Sequence, residues 1–107
     1  MSKASLGGRY ALTTSYVSLA TLLGTTGFWK GEVSIDESHA YDFYIKSANN
    51  TDASPAAWVS AVKVLAGVGF SHQFEAVDPS TVSVAGATAG DYVTLVGELV
   101  EKFNPFG

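Results

Sequence analysis

The chain has 107 residues, 47% of them apolar, and a formal net charge of −4, which suits one globular domain with one core and excludes a disordered chain. Cysteine is absent, removing disulfides, a thiolate nucleophile and cysteine-ligated zinc. Six Lys and Arg against ten Asp and Glu leave no cationic cluster to neutralise a phosphate backbone, so nucleic acid is not an expected partner.

Residues 1–8 contain small and polar residues that offer little to bury and read as a flexible arm. They lack the continuous apolar core of a secretion signal, so nothing argues for export. Tyr10 to Leu12 and Tyr16 to Leu19 read as short strands. Leu19, Leu22 and Leu23 then have the i, i+3, i+4 spacing of a single helical turn, ended by Gly24. Phe28 to Asp36 alternates, with Trp29, Gly31, Val33 and Ile35 on one face and Lys30, Glu32, Ser34 and Asp36 on the other. Glu37 to Ala40 is a turn, and Tyr41 to Ser47 is a strand with Tyr41, Phe43 and Ile45 inward and Asp42, Tyr44 and Lys46 outward. These two strands are expected to form a hairpin.

Asn49 to Pro55 is the clearest loop, built of turn formers and containing the formal glycosylation sequon Asn49-Asn50-Thr51. Ala56 to Ala66 fits two readings. Trp58, Ala61, Val62 and Leu65 share a helical face, with Ser54 as N-cap and Gly67 as stop, whereas the valines favour a strand; strand is the preferred one. The apolar stretch Val64 to Phe70 is broken by Gly67 and Gly69 and is far short of the roughly 20 residues of a membrane span. Phe70 to Val77 places Phe70, His72, Phe74 and Ala76 on one face, Asp78 to Ser80 turns, and Thr81 to Ala85 resumes with Val82 and Val84 inward. After the connection Gly86 to Gly90, Tyr92 to Gly97 is the last strand, followed by a tail. Seven or eight short strands with one helical turn predict an all-β antiparallel sandwich or jelly-roll-like barrel over residues 9–98, with a tail over 99–107.

Catalytic candidates are few. His72, between Phe70 and Phe74, reads as a buried or interfacial ring. His39, among Asp36, Glu37, Ser38 and Asp42, reads as a solvated turn rather than a cation site, because the spacing matches no calcium loop. Glu98 and Glu101 read as a solvated tail rather than an acid–base pair. The glycine-rich turns lack the lysine and following helix of a phosphate cradle. No catalytic, cofactor or metal residues are assigned, and no enzyme activity is expected. The aromatic supply is larger than one small core requires. Phe28 and Tyr44, on the polar sides of their strands, and Phe103 and Phe106, in the tail, are therefore candidate interface residues.

Three segments carry a resemblance: Leu65-Ala66-Gly67-Val68-Gly69-Phe70; Val77-Asp78-Pro79-Ser80-Thr81-Val82-Ser83-Val84-Ala85-Gly86; and Ala89-Gly90-Asp91-Tyr92-Val93-Thr94-Leu95-Val96-Gly97. Together with the opening Thr13 to Ala20, they resemble small β-sandwich virion proteins of tailed bacteriophages. The resemblance implies a non-enzymatic capsid cement or decoration protein in the virion, partnered by the major capsid protein. It also implies a homo-oligomer, a trimer by the same likeness, with no cofactor. The alternative is a carbohydrate- or receptor-binding module, as in a tail or fibre component, stacking sugar on Trp29, Trp58 or exposed tyrosines. A third reading, a small hydrolase, would need His39 or His72 in a pocket with acidic partners.

Overall fold

The computed structural model describes residues 6–47 and 61–100. Eight strands are present: β1 (Gly8–Ala11), β2 (Val17–Ser18), β3 (Trp29–Ile35), β4 (Phe43–Ser47), β5 (Val62–Val64), β6 (Phe70–Val77), β7 (Val82–Gly86) and β8 (Tyr92–Leu99). One helical turn, α1 (Leu19–Leu23), follows β2, and a 3-10 turn, Pro79–Thr81, precedes β7. The expected all-β sandwich is what the chain forms.

The strands make two antiparallel sheets, ordered β1-β8-β3-β6 and β2-β7-β4-β5. β1 pairs with β8, β2 with β7, β3 with β6 and β4 with β5, so the chain is a long hairpin folded back between β4 and β5 and rolled into two layers. The contacts of β8 with β3 and of β7 with β4 complete the sheets. This is jelly-roll order.

Trp29, Val33 and Ile35 of β3 face Phe43 and Ile45 of β4 and Val84 of β7, with Val93 and Leu95 of β8 completing the core. Leu19 and Leu23 close one end. α1 is short because its signals are close together: the Ser18 hydroxyl accepts from the Thr21 N–H at 3.1 Å, and Gly24 takes the left-handed conformation that ends it. Trp29 is fully buried, and its size dictates its surroundings. Gly31 and Gly97 stand opposite each other on β3 and β8, and a Cβ on Gly97 would lie 2.2 Å from the Lys30 carbonyl oxygen and 2.8 Å from Trp29 Cε2. Two neighbouring positions without side chains are the space the indole needs.

Four expectations need correction. The strands on either side of Glu37 to Ala40 do not form a hairpin, since β3 and β4 belong to different sheets; alternation reports a strand's faces but not its neighbours. Ala76 is exposed and Val77 instead packs on the core. β3 and β6 lose register between Trp29/Val77 and Gly31/Phe74, and the additional residue on β6 turns Val77 inward. Tyr41 is exposed rather than inward, because β4 begins only at Phe43. Glu98 lies within β8, opposite Lys30, rather than in a tail.

The domain's hydrogen bonds also reach beyond residues 9–98. The Leu6 N–H donates to the Gly97 carbonyl at 2.9 Å, the Trp29 Nε1–H donates to the Leu6 carbonyl at 3.0 Å, and Val100 N–H donates to the Phe28 carbonyl at 2.9 Å. In the described part of Ala56 to Ala66, residues Val62–Val64 form a strand, in line with the preferred reading. Trp58 and the Asn49 to Pro55 loop lie outside the described residues.

Candidate functional site

The connections β1–β2, β3–β4, β5–β6 and β7–β8 each cross from one sheet to the other, and short polar residues bind them to one another. Asp91, in the β7–β8 connection, is buried. Its Oδ1 accepts from the Ala40 N–H at 2.8 Å and its Oδ2 from the Tyr41 N–H at 2.9 Å, while its carbonyl accepts from the Leu12 N–H at 2.9 Å. One residue thus ties three connections. A carboxylate suits this position because it offers two acceptor oxygens to two backbone donors that the bend at Ala40 and Tyr41 leaves without a ladder partner.

His39 performs the corresponding task on the β5–β6 connection. Its ring is buried, with Nδ1 2.7 Å from the Tyr41 carbonyl oxygen and Nε2 2.6 Å from the Val68 carbonyl oxygen. The ring thus bridges carbonyls of the β3–β4 and β5–β6 connections. The His39 carbonyl accepts from Gly67 N–H at 3.1 Å. Asp42 completes the closure: Oδ1 accepts from Ala66 N–H at 2.9 Å, Oδ2 lies 3.6 Å from Lys63 Nζ, and its carbonyl accepts from Ala87 N–H at 2.8 Å. Asp36 turns to its own loop, bonding the Ser38 hydroxyl and N–H, and these bonds hold its carboxyl below the ordinary value.

The reading of His39 as a solvated turn is therefore corrected: the ring is drawn in by two carbonyls on separate loops. The acidic residues around it face different partners, and among the described residues no group of three ligating side chains is placed to hold a metal. Of the two readings of His72, the buried one is corrected. The residue sits on the core-facing side of β6, opposite Val33, but is exposed because β6 is the last strand of its sheet among the described residues. Its ring makes an edge contact with Phe74 at 4.7 Å.

Of the four expected interface residues, Tyr44 and Phe28 lie within the described part of the chain. Tyr44 is buried, in a strand flanked on both sides by Ala85 of β7 and Lys63 of β5. Phe28 is half-buried, with its carbonyl engaged by Val100. Phe103 and Phe106 lie outside the described residues. The large apolar side chains that reach solvent at the clamped loops are others: Tyr41 at 43% exposure, Leu65 at 57% and Val68 at 51%. Tyr92 is also exposed, beside Asp91, with the Arg9 guanidinium 4.3 Å from its ring centre. Nothing in the sequence marks Leu65 and Val68 as exposed, because they lie in an apolar run. The one local signal is the pair of turn glycines Gly67 and Gly69, which flank Val68 and follow Leu65.

Both Asp91 oxygens and both His39 nitrogens are thus committed to the chain's own backbone. Facing outward at this end are the apolar side chains of Tyr41, Leu65 and Val68, beside the exposed polar residues Asp36, Glu37 and Ser38. Over the described residues, fold and site together define an eight-stranded antiparallel jelly-roll sandwich with a hydrogen-bonded, partly apolar loop end. Comparison with protein-family models, with curated proteins and with solved structures gives no match.

Proposed function

We propose that this chain is a non-enzymatic virion structural protein, a cement or decoration protein that docks on a capsid surface and stabilises it. The observation that carries the reading is the loop end: Tyr41, Leu65 and Val68 expose apolar area while Asp91, His39 and Asp42 hold their backbones in place. An apolar contact presented on loops already ordered costs little further entropy on binding. Jelly-roll strand order supports the reading by analogy of fold, since that architecture is common in viral capsid domains. Each contact would be modest, and many copies on a repetitive shell would sum to a large resistance to expansion.

The same architecture also hosts lectins. Trp29 is buried and unavailable for stacking, whereas Tyr41 and Tyr92 are exposed rings among the described residues on which a sugar could stack. Co-sedimentation with preassembled capsid shells tests the proposal. Saturable pelleting of the wild-type chain, lost in the Tyr41→Ser/Val68→Ser variant with its thermal midpoint retained, supports docking through this end. A chain that never pellets, and whose tyrosine fluorescence responds saturably to a sugar, favours the carbohydrate-binding reading.

A further inference from the structure

Each sheet of an open sandwich has two edges, and an edge strand presents backbone N–H and C=O groups that can pair with another chain. Three of the four edges here are blunted by length: β1 has four residues, β2 two and β5 three. β6 has eight and is the last strand of its sheet among the described residues. Over Phe70-Ser71-His72-Gln73-Phe74 it pairs with β3 in unbroken register, from Ile35 to Gly31; the bulge comes only after Phe74. This five-residue stretch contains no proline, lysine, arginine or acidic residue, so it lacks the usual devices that keep edges apart. Ser71, His72 and Gln73 are exposed.

We propose that a second copy of this chain pairs with this edge, β6 against β6, about a two-fold axis at His72. The occupant follows from the segment's self-complementarity. A two-fold axis perpendicular to the sheet reverses the strand and preserves its faces, so residues of like parity meet. With the axis at His72, Phe70 of each chain faces Phe74 of the other, twice, on the core side. Ser71 faces Gln73, twice, on the outer side, where hydroxyl and amide can bond each other. No charged residue falls within the paired segment, and Glu75, the one charge on β6, lies beyond it. An axis moved to Gln73 or Phe74 brings Glu75 and the bulge into the pairing.

The neighbouring surface also suits this pairing. Phe70, His72 and Phe74 form one wall of a groove of about 320 Å³, whose other side includes Ile45, Val62 and Val82. Phe70 and Phe74 are only half-buried in the single chain. Side-by-side pairing lays each partner's phenylalanines along the mouth of the other's groove, adding apolar burial to the backbone bonds. The result is one continuous eight-stranded sheet. It does not depend on the capsid reading.

The test is sedimentation analysis of the full chain over a range of concentrations. The expected result is reversible association to the mass of two 11.2 kDa chains. In the His72→Lys variant, like charges face each other at the axis, and the dissociation constant is expected to rise by roughly threefold or more. Thr14→Lys, an exposed change in the β1–β2 connection at the far side of the sheet from β6, should leave it unaltered. Because the chain has no cysteine, His72→Cys gives a second, independent readout: under mild oxidation it should cross-link to a covalent dimer, opposed residues at the axis being within disulfide reach, while Glu75→Cys should not. A chain that stays monomeric at all concentrations overturns the proposal. So does a trimer, or a dimer indifferent to His72→Lys that fails to cross-link through His72→Cys.

Discussion

Replacing Asp91 with Asn changes one atom type and almost no volume, and so isolates the hydrogen bonding at the loop end. In the native chain each carboxylate oxygen accepts from one backbone N–H, Ala40 at 2.8 Å and Tyr41 at 2.9 Å. An amide has one acceptor oxygen, so its NH2 must face the other N–H. One charge-assisted bond is lost, worth about 1.5–3 kcal/mol, and a part-buried backbone donor is left unsatisfied. Because these two terms describe overlapping losses, the expected cost of Asp91→Asn is about 2–4 kcal/mol, a large part of the roughly 5–15 kcal/mol of a domain this size. Urea unfolding followed by circular dichroism measures it. With a slope of about 1–3 kcal/mol per molar, the midpoint should fall by on the order of 1–2 M without a change in slope. Asp91→Ala should be at least as severe, since both donors lose their acceptor. A loss of unfolding free energy below about 0.5 kcal/mol in either variant would refute the view that Asp91 holds the loops together, because that is the ordinary range for an unconstrained surface position.

Gly97→Ala places a methyl 2.2 Å from the Lys30 carbonyl oxygen and against the Trp29 ring, so β8 must move away from β3; a loss of about 1–3 kcal/mol is expected in the same unfolding assay, with a changed near-ultraviolet tryptophan signal. The Asp36 and Asp78 carboxyls are held below 3.8 by hydrogen bonds from the side chain and then the backbone of Ser38 and Ser80 respectively. Both groups release protons on folding, so their contribution is present above the unfolded value of 3.8 and is lost as pH falls through the lower folded values. An Asp36→Asn/Asp78→Asn variant should therefore lose less stability than the wild type between about pH 5 and pH 2, read from thermal midpoints; equal losses would refute the assignment.

Legibility in the sequence followed the range of the interaction concerned. β3 was readable because the burial of Trp29, Val33 and Ile35 follows a strict two-residue period, and α1 because Leu19, Leu22, Leu23 and Gly24 carry spacing and stop within six residues. Sheet membership was not readable. β3 and β4 are adjacent in sequence and alternate in the same way whether they pair or cross, and the decision rests on Asp91, some fifty residues downstream of the bend it holds. The bulge that exchanges Ala76 for Val77 likewise depends on the mismatch between β3 and β6, which neither strand reveals alone. His39 and His72 exchange their expected environments for related reasons. A polar context placed His39 outside, though two carbonyls enclose it; an apolar context placed His72 inside, though no described strand lies beyond β6 to cover it. Tyr44 and Tyr41 exchange their expected exposure as well, since Tyr44 sits in a central strand and Tyr41 in the bend before it.

The N-terminal boundary has a consequence for any experiment that trims the chain to look for a docking arm. Residues 1–8 read as an arm, yet Leu6 supplies the acceptor for the Trp29 indole N–H and donates to Gly97, and Gly8 pairs with Leu95. The indole is fully buried, so removing Leu6 leaves its N–H without a partner, a loss of about 1–3 kcal/mol before the shortened β1 is counted. A chain beginning at residue 9 should therefore unfold at a lower urea concentration than one beginning at residue 6, with the difference concentrated around Trp29 and visible in its fluorescence. Loss of shell binding in the shorter chain would then report a weakened sandwich as readily as a missing contact, whereas Tyr41→Ser/Val68→Ser changes two half-exposed side chains and leaves the backbone bonds of both residues intact. Equal stability of the two truncated chains would refute the assignment of Leu6 to the folded domain and restore the arm through Gly8.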